Sequence, residues 1–148
     1  MSPFRRILHP SDFSPASRPA FARALDLAKA NRAQLFVVHV LGPIVAGGGE
    51  GYVPPRLYEE LEASARAYAQ KNLDTLTTKA KKAGVRARGL LLTGIPHEQI
   101  TRAAESRRAD LIVIGTHGRT GFARLLLGSV AARVVAIAPC PVLTVRGK

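Results

Sequence analysis

The chain has no tryptophan, one cysteine, three tyrosines and five phenylalanines, and it carries fewer than half as many acids as bases. A lone cysteine, Cys140, excludes an intramolecular disulfide and leaves a thiolate-built zinc site without ligands, which fits a reducing compartment. Between Pro139 and Pro141 it reads as a small buried hydrophobe. With aromatics at 5%, stacking of unpaired bases on aromatic side chains has little support, and the core must be built from Val, Ile, Leu and Ala. No stretch approaches the ~20 continuous apolar residues of a membrane span. Charge and proline interrupt Met1-Ser2-Pro3-Phe4-Arg5-Arg6 before a signal peptide could form. The expectation is a cytoplasmic chain without membrane association.

What is present is aliphatic and basic. Hydrophobic residues make up 47% of 148 residues, enough for one domain spanning 1–148, with a sheet covered by helices. Lys plus Arg is 22 against 10 Asp plus Glu, a formal net charge of +12, which favours polyanionic partners of some kind. The bases lie scattered along the chain. Their densest groups, Lys79-Lys81-Lys82 and Arg107-Arg108, fall where helices should end and complement the helix dipole.

Short apolar runs alternate with stretches of helical period, as in a parallel α/β sheet. The strands are expected at about 4–9 (stopping at Pro10), 35–40, 85–92, 111–114 and 142–146. The helices are expected at 15–31, with Ser14 as N-cap and Pro15 at the first position, then at 56–83, 96–107 and 125–138. Phe21, Leu25 and Ala28 should face the core from the first helix, and Leu57, Leu61, Ala65, Tyr68 and Leu76 from the second. Residues 42–55, with Gly47-Gly48-Gly49 and three prolines, read as a surface loop. Arg86 and Arg88 alternate along the third strand, which suits a sheet edge. Right-handed crossovers then give a doubly wound five-stranded parallel sheet of order 3-2-1-4-5, with helices on both faces. Ligands bind such sheets at the carboxyl ends of the strands, beside the switch point between strands one and four.

Both of those strand ends carry unusual chemistry. Pro10-Ser11-Asp12 follows strand one. After strand four come Gly115-Thr116-His117-Gly118, nine residues, and Gly128-Ser129 at the start of a helix. Glycines let backbone amides approach an anion, and a helix N-terminus offers unpaired N–H groups with a favourable dipole. The Ser129 hydroxyl can add a hydrogen bond, His117 can donate from the pocket side, and Arg119 and Arg124 can pair with phosphate charge. The turn is neither a Walker A loop nor a dinucleotide fingerprint. Each glycine also has a purely structural reading: Gly115 and Gly118 turn the chain, and Gly128 lets the helix pack closely. Asp12 can accept from ribose hydroxyls or cap the following turn. His9, His39 and His117 all fall near carboxyl ends of strands, but no carboxylate-rich shell supports a metal site among them.

Gly115-x-x-Gly118-x9-Gly128-Ser129 resembles the nucleotide-binding signature of the universal stress protein family. So do the opening Ile7-Leu8-His9-Pro10-Ser11-Asp12-Phe13-Ser14, the turn Gly94-Ile95-Pro96, the run Ala109-Asp110-Leu111-Ile112-Val113-Ile114-Gly115 and the ending Pro139-Cys140-Pro141-Val142-Leu143. The likeness covers essentially the whole chain. It implies a Rossmann-like fold of the adenine nucleotide alpha hydrolase kind and an ATP ligand, with or without Mg2+. It further implies that Asp12 contacts the ribose or adenine side, that the backbone near Val40 lines the adenine pocket, and that Gly115, Gly118, Gly128, Ser129 and Val130 hold ribose and phosphates. An apolar edge strand at residues 142–146 calls for a cover, and the resemblance implies a homodimer formed there.

Three functions remain in competition. The first is a nucleotide-dependent stress-response or signalling module. The second is a slow ATPase on the same site, for which no pair of metal holder and nucleophile-orienting residue can be named. The third is non-specific nucleic-acid binding through the basic surface.

Overall fold

A computed structural model of the chain describes residues 4–42, 53–116 and 127–147. Strands and helices alternate through it: β1 (Arg6–Pro10), α1 (Arg18–Asn31), β2 (Gln34–Leu41), α2 (Pro55–Lys82), β3 (Arg86–Thr93), α3 (Pro96–Ser106), β4 (Leu111–Gly115), α4 (Ser129–Ile137) and β5 (Val142–Val145). The strands form one doubly wound sheet of order β3-β2-β1-β4-β5, and every neighbouring pair is parallel.

Because alternate strand residues face opposite sides, the sheet builds two cores. Ile7, Leu35, Val37, Leu111 and Val113 pack under α1 and α2. Leu8, Phe36, Val38, Ile112 and Ile114 pack under α3 and α4. Burying each such side chain contributes about 1.5–3 kcal/mol, so both faces of β1, β2 and β4 must be covered. Two glycines at positive φ shape the connections. Gly84 (φ 88°) releases the chain from α2 into β3, and Gly94 (φ 139°) turns it from β3 into α3.

Four local expectations are corrected. Strand one starts at Arg6 rather than Phe4 and keeps Pro10, which pairs with Val38. The amide of Ser11 bonds to Val38 on β2, so by alternation the missing N–H of Pro10 faces β4, where the ladder has already ended. Ser14 stands at the N-cap position ahead of Pro15, but of a 3-10 helix rather than of α1, and its side chain makes no cap hydrogen bond. A 3-10 turn at Pro15–Ser17 precedes α1, and the Ser14 amide and hydroxyl both donate to Asp12 Oδ1 at 2.9 and 2.6 Å; the carboxylate turn wins over the serine cap.

The core face of α2 lies further along than the periodicity suggests. Ala69, Leu73, Thr77 and Ala80 are buried, Leu76 is partly buried, and Leu57, Leu61 and Tyr68 are exposed. The cause is length: 28 helical residues span about 42 Å, whereas an eight-residue strand covers about 26 Å. Finally, α4 begins at Ser129, with Leu127 and Gly128 outside it. The expected start at Leu125 lies outside the described residues.

Candidate functional site

The site begins where the sheet splits. β1 and β4 pair only through Ile7 with Leu111 and Leu8 with Ile112. One residue further, the Nδ1–H of His9 donates to the Val113 carbonyl at 2.9 Å, replacing a ladder bond at the point of divergence. His9 is fully buried against Phe21, with ring centroids 5.8 Å apart. Its Nε2 has no hydrogen-bond partner. Burial pushes its pKa down to about 4, against the opposing pull of the Val113 hydrogen bond and the Asp12 charge, so the imidazole is neutral at pH 7. It is the floor of the crevice rather than part of its lining.

Above this floor, residues 11–17 close one wall through short local bonds. The Ser11 hydroxyl accepts from the Phe13 amide at 3.1 Å and lies 3.3 Å from the Ser17 hydroxyl, which donates to the Ser14 carbonyl at 2.7 Å. Asp12 holds Ser14, as above. Phe13 adopts φ 64°, a left-handed conformation that costs a bulky residue roughly 1–2 kcal/mol. Its ring stacks on His39 at 4.3 Å between centroids, and His39 Nδ1 donates to the Ser11 carbonyl at 2.7 Å. Strand two is thereby tied to the turn after strand one.

The opposite wall comes from β4 and α4. The Thr116 amide bonds to Val145 and its carbonyl accepts from the Gly128 amide, so one clasp joins the end of β4 to the residue before α4. The residue before α4 is Gly128, and no side chain among the described residues caps the helix; its first amides have no intrahelical acceptor. They open onto the crevice together with the positive end of the helix dipole.

Between the walls lies a cavity of about 350 Å³, at the lower end of the ~300–1,000 Å³ of small-molecule sites. Pro10, Ser11, Asp12, Val40, Gly115, Thr116, Gly128, Ser129 and Val130 all line it. His117, Gly118 and Arg119 lie outside the described residues. Sequence reasoning did not select Ser17, Val38, His39, Pro96, Ile100, Ile114 or Ala131 for this lining. The apolar members belong to core-facing positions whose far side happens to reach the crevice, a property that periodicity does not register. Pro96 and Ile100 bring the start of α3 against the cavity, and the turn Gly94-Ile95-Pro96 was the available signal.

Among the described residues, no group of three or more His, Cys, Asp or Glu could hold a metal ion; His9 and His39 point to carbonyls instead. Cys140 packs against the α3–α4 core. Burial, and secondarily the Asp110 charge, pushes its thiol pKa up, which keeps it a poor nucleophile. No helix among the described residues is long and apolar enough to cross a membrane.

Comparison with known proteins matches this architecture along its whole length. The family model described as "Universal stress protein family" matches residues 3–146. A universal stress protein of Thermus aquaticus is 40% identical over 144 residues, covering 97% of this chain and 99% of the relative. The solved structure of protein MJ0577 superposes with a TM-score of 0.83 at 26% identity, covering 98% of this chain and 97% of that one; the source of MJ0577 is Methanocaldococcus jannaschii. A universal stress protein crystallised in complex with cAMP superposes with a TM-score of 0.71 at 27% identity, covering 98% of both chains. The chain belongs to the universal stress protein family.

Proposed function

We propose that this protein binds ATP in the crevice between β1 and β4 and acts as a nucleotide-dependent stress-response or signalling module. The carrying observation is the N-terminus of α4, joined to Thr116, capped by no side chain among the described residues, and lining one cavity with Asp12 and the apolar Val38, Val40, Ile100 and Ile114. An adenosine needs such a mixture: apolar walls for the base, a carboxylate for ribose hydroxyls, and amides with a favourable dipole for phosphate. The relative in complex with cAMP supports an adenine nucleotide as the ligand class.

In this reading the backbone near Val40 flanks adenine and Asp12 accepts from the ribose hydroxyls. Gly115, Gly128, Ser129 and Val130 approach ribose and phosphates. Gly118, His117 and Arg119 complete the phosphate side of a triphosphate bound with or without Mg2+.

Titration with a fluorescent ATP analogue tests the reading. Gly128 has φ −64°, which any residue adopts, so Gly128→Val leaves the backbone unstrained and adds bulk where phosphate must approach. It should weaken binding tenfold or more, as should Gly118→Ala. Equal affinity in the unaltered protein and both variants removes the site assignment.

A further inference from the structure

Some of the bases that look scattered in sequence, Arg6, Arg86, Arg88, Arg107, Arg108 and the lysines that end α2, are gathered by the fold at one end of the sheet. All five strands are parallel, so their amino ends share one edge with the carboxyl ends of the helices, opposite the crevice. Register places Arg6, Gln34 and Arg86 side by side across β1, β2 and β3, which sets Arg6 and Arg86 about 10 Å apart at two strand spacings. Alternation turns both, with Arg88, towards the α3–α4 face. Arg107 joins them from the end of α3, its guanidinium 5.7 Å from the Phe36 ring, followed by exposed Arg108. The Arg86 guanidinium reaches the Arg32 carbonyl at 3.3 Å, linking this cluster to the end of α1, whose last turn carries Lys29, on the other face; Lys81, from the end of α2, lines one shallow hollow with Gln34 and Arg86.

Dipole complementation explains the helix-end bases but not Arg6, Arg86 and Arg88, which sit on strands. None of these bases is in an ion pair; the one salt bridge among the described residues joins Arg56 to Glu60. The carboxylates towards this end are Asp26 and Asp74, in the second halves of α1 and α2, with Glu105 and Asp110; Asp74 accepts from Gln70, and Asp110 is spent on the backbone amides of Arg5 and Arg6. Glu59, Glu60, Glu62 and Glu98 lie towards the opposite end, in the first halves of α2 and α3.

We propose that this arginine-rich amino end of the sheet docks the phosphate backbone of a nucleic-acid duplex, without reading its bases. Arginine forks suit phosphate oxygens, and duplex nucleic acid carries one negative charge per ~1.7 Å of axis. A membrane surface needs apolar side chains to insert, and the large exposed ones among the described residues lie apart from the arginines: Leu57, Leu61 and Tyr68 on the overhang of α2, Ile95 and Val130 at the crevice end, and Val135, Ile137 and Leu143 on α4 and β5, beyond β4 from the arginine-bearing strands. Single strands need aromatic platforms, and the end has none exposed.

Fluorescence anisotropy with a labelled duplex of arbitrary sequence, titrated between 50 and 300 mM salt, tests the proposal. The unaltered protein should bind with an affinity that falls log-linearly with salt. Arg6→Gln/Arg86→Gln/Arg108→Gln should lower affinity at least tenfold at 100 mM salt and flatten the slope by about three, near 0.9 per lost phosphate contact. Lys81→Gln/Lys82→Gln should act in the same direction and guards against misfolding of the triple variant. Arg18→Gln/Arg23→Gln/Arg133→Gln removes equal charge elsewhere and should stay within about twofold. Equal losses in the end and control variants, absence of duplex binding at 50 mM salt, or binding to phosphatidylserine vesicles without duplex binding would each overturn it.

Discussion

At the scale of single residues, His9, buried beneath the crevice, couples the stability of the fold to acidity. Its folded pKa is about 4 against an ordinary value of 6.5, lowered by burial. Above pH 6.5 it is neutral in folded and unfolded chains alike and contributes no pH dependence. Below pH 6.5 the unfolded chain takes up a proton that the folded chain refuses. Stability therefore falls as pH drops from about 6.5 to about 4, by roughly 1.4 kcal/mol per unit and roughly 3 kcal/mol in all. Urea unfolding at pH 7, 6 and 5 should show this slope. His9→Asn keeps a donor for Val113 and cannot titrate, so its slope should be shallower by about that amount. Identical slopes in the two proteins would show that His9 is not the group responsible. Asp12 illustrates a different point. Its turn-capping and ligand-facing readings compete in sequence, yet the structure has it lining the cavity while holding Ser14, because a carboxylate has room for several donors.

At the scale of elements, α2 and β3 show how closely a helix can seat when a strand offers no side chain. A Cβ on Gly89 would stand 2.9 Å from Leu73 Cγ and 3.3 Å from Thr77 Cγ2, and Leu73 is fully buried. Gly89→Ala should therefore destabilise the protein by about 1–2 kcal/mol, overpacking outweighing the better strand propensity of alanine. Leu73→Ala makes room for the new methyl, so the double variant should lose less than the sum of the two single losses. A stabilising Gly89→Ala in thermal unfolding would contradict the close seating. The alternation of elements and the strand order were legible because β2 and β4 are apolar on both faces and the connections leave one right-handed path. What was not legible followed from tertiary reach. Periodicity marks a stripe on α2 but not where the sheet beneath it stops, so Leu57, Leu61 and Tyr68 were misplaced. At the crevice, glycines, Asp12 and Ser129 stand out as residue types, whereas Val38, Ile100 and Ile114 look like any core residue until the walls are assembled.

At the scale of the whole molecule, a sheet with ends of different charge meets an edge that is apolar. Among the described residues β5 pairs with β4 alone, and it has four residues. Leu143 on it is 37% exposed, and Val135 and Ile137 on the preceding α4 are 47% and 53% exposed. An unpaired edge with apolar neighbours is a template for a second copy, and pairing about a twofold axis satisfies both chains at once. Bringing two chains of +12 together opposes that association through like-charge repulsion, which salt relieves within a Debye length of about 10 Å at 0.1 M. Dimerisation should therefore strengthen between 50 and 300 mM salt, whereas duplex binding at the amino end weakens over the same range. Sedimentation velocity at micromolar protein should find a dimer at 300 mM salt, and Leu143→Lys, which plants a charge on the edge, should return it to monomer. A monomer at both salt concentrations would leave the edge without a self-partner. A dimer that dissociates as salt rises would mean that ion pairs, rather than the apolar edge, hold the two copies together.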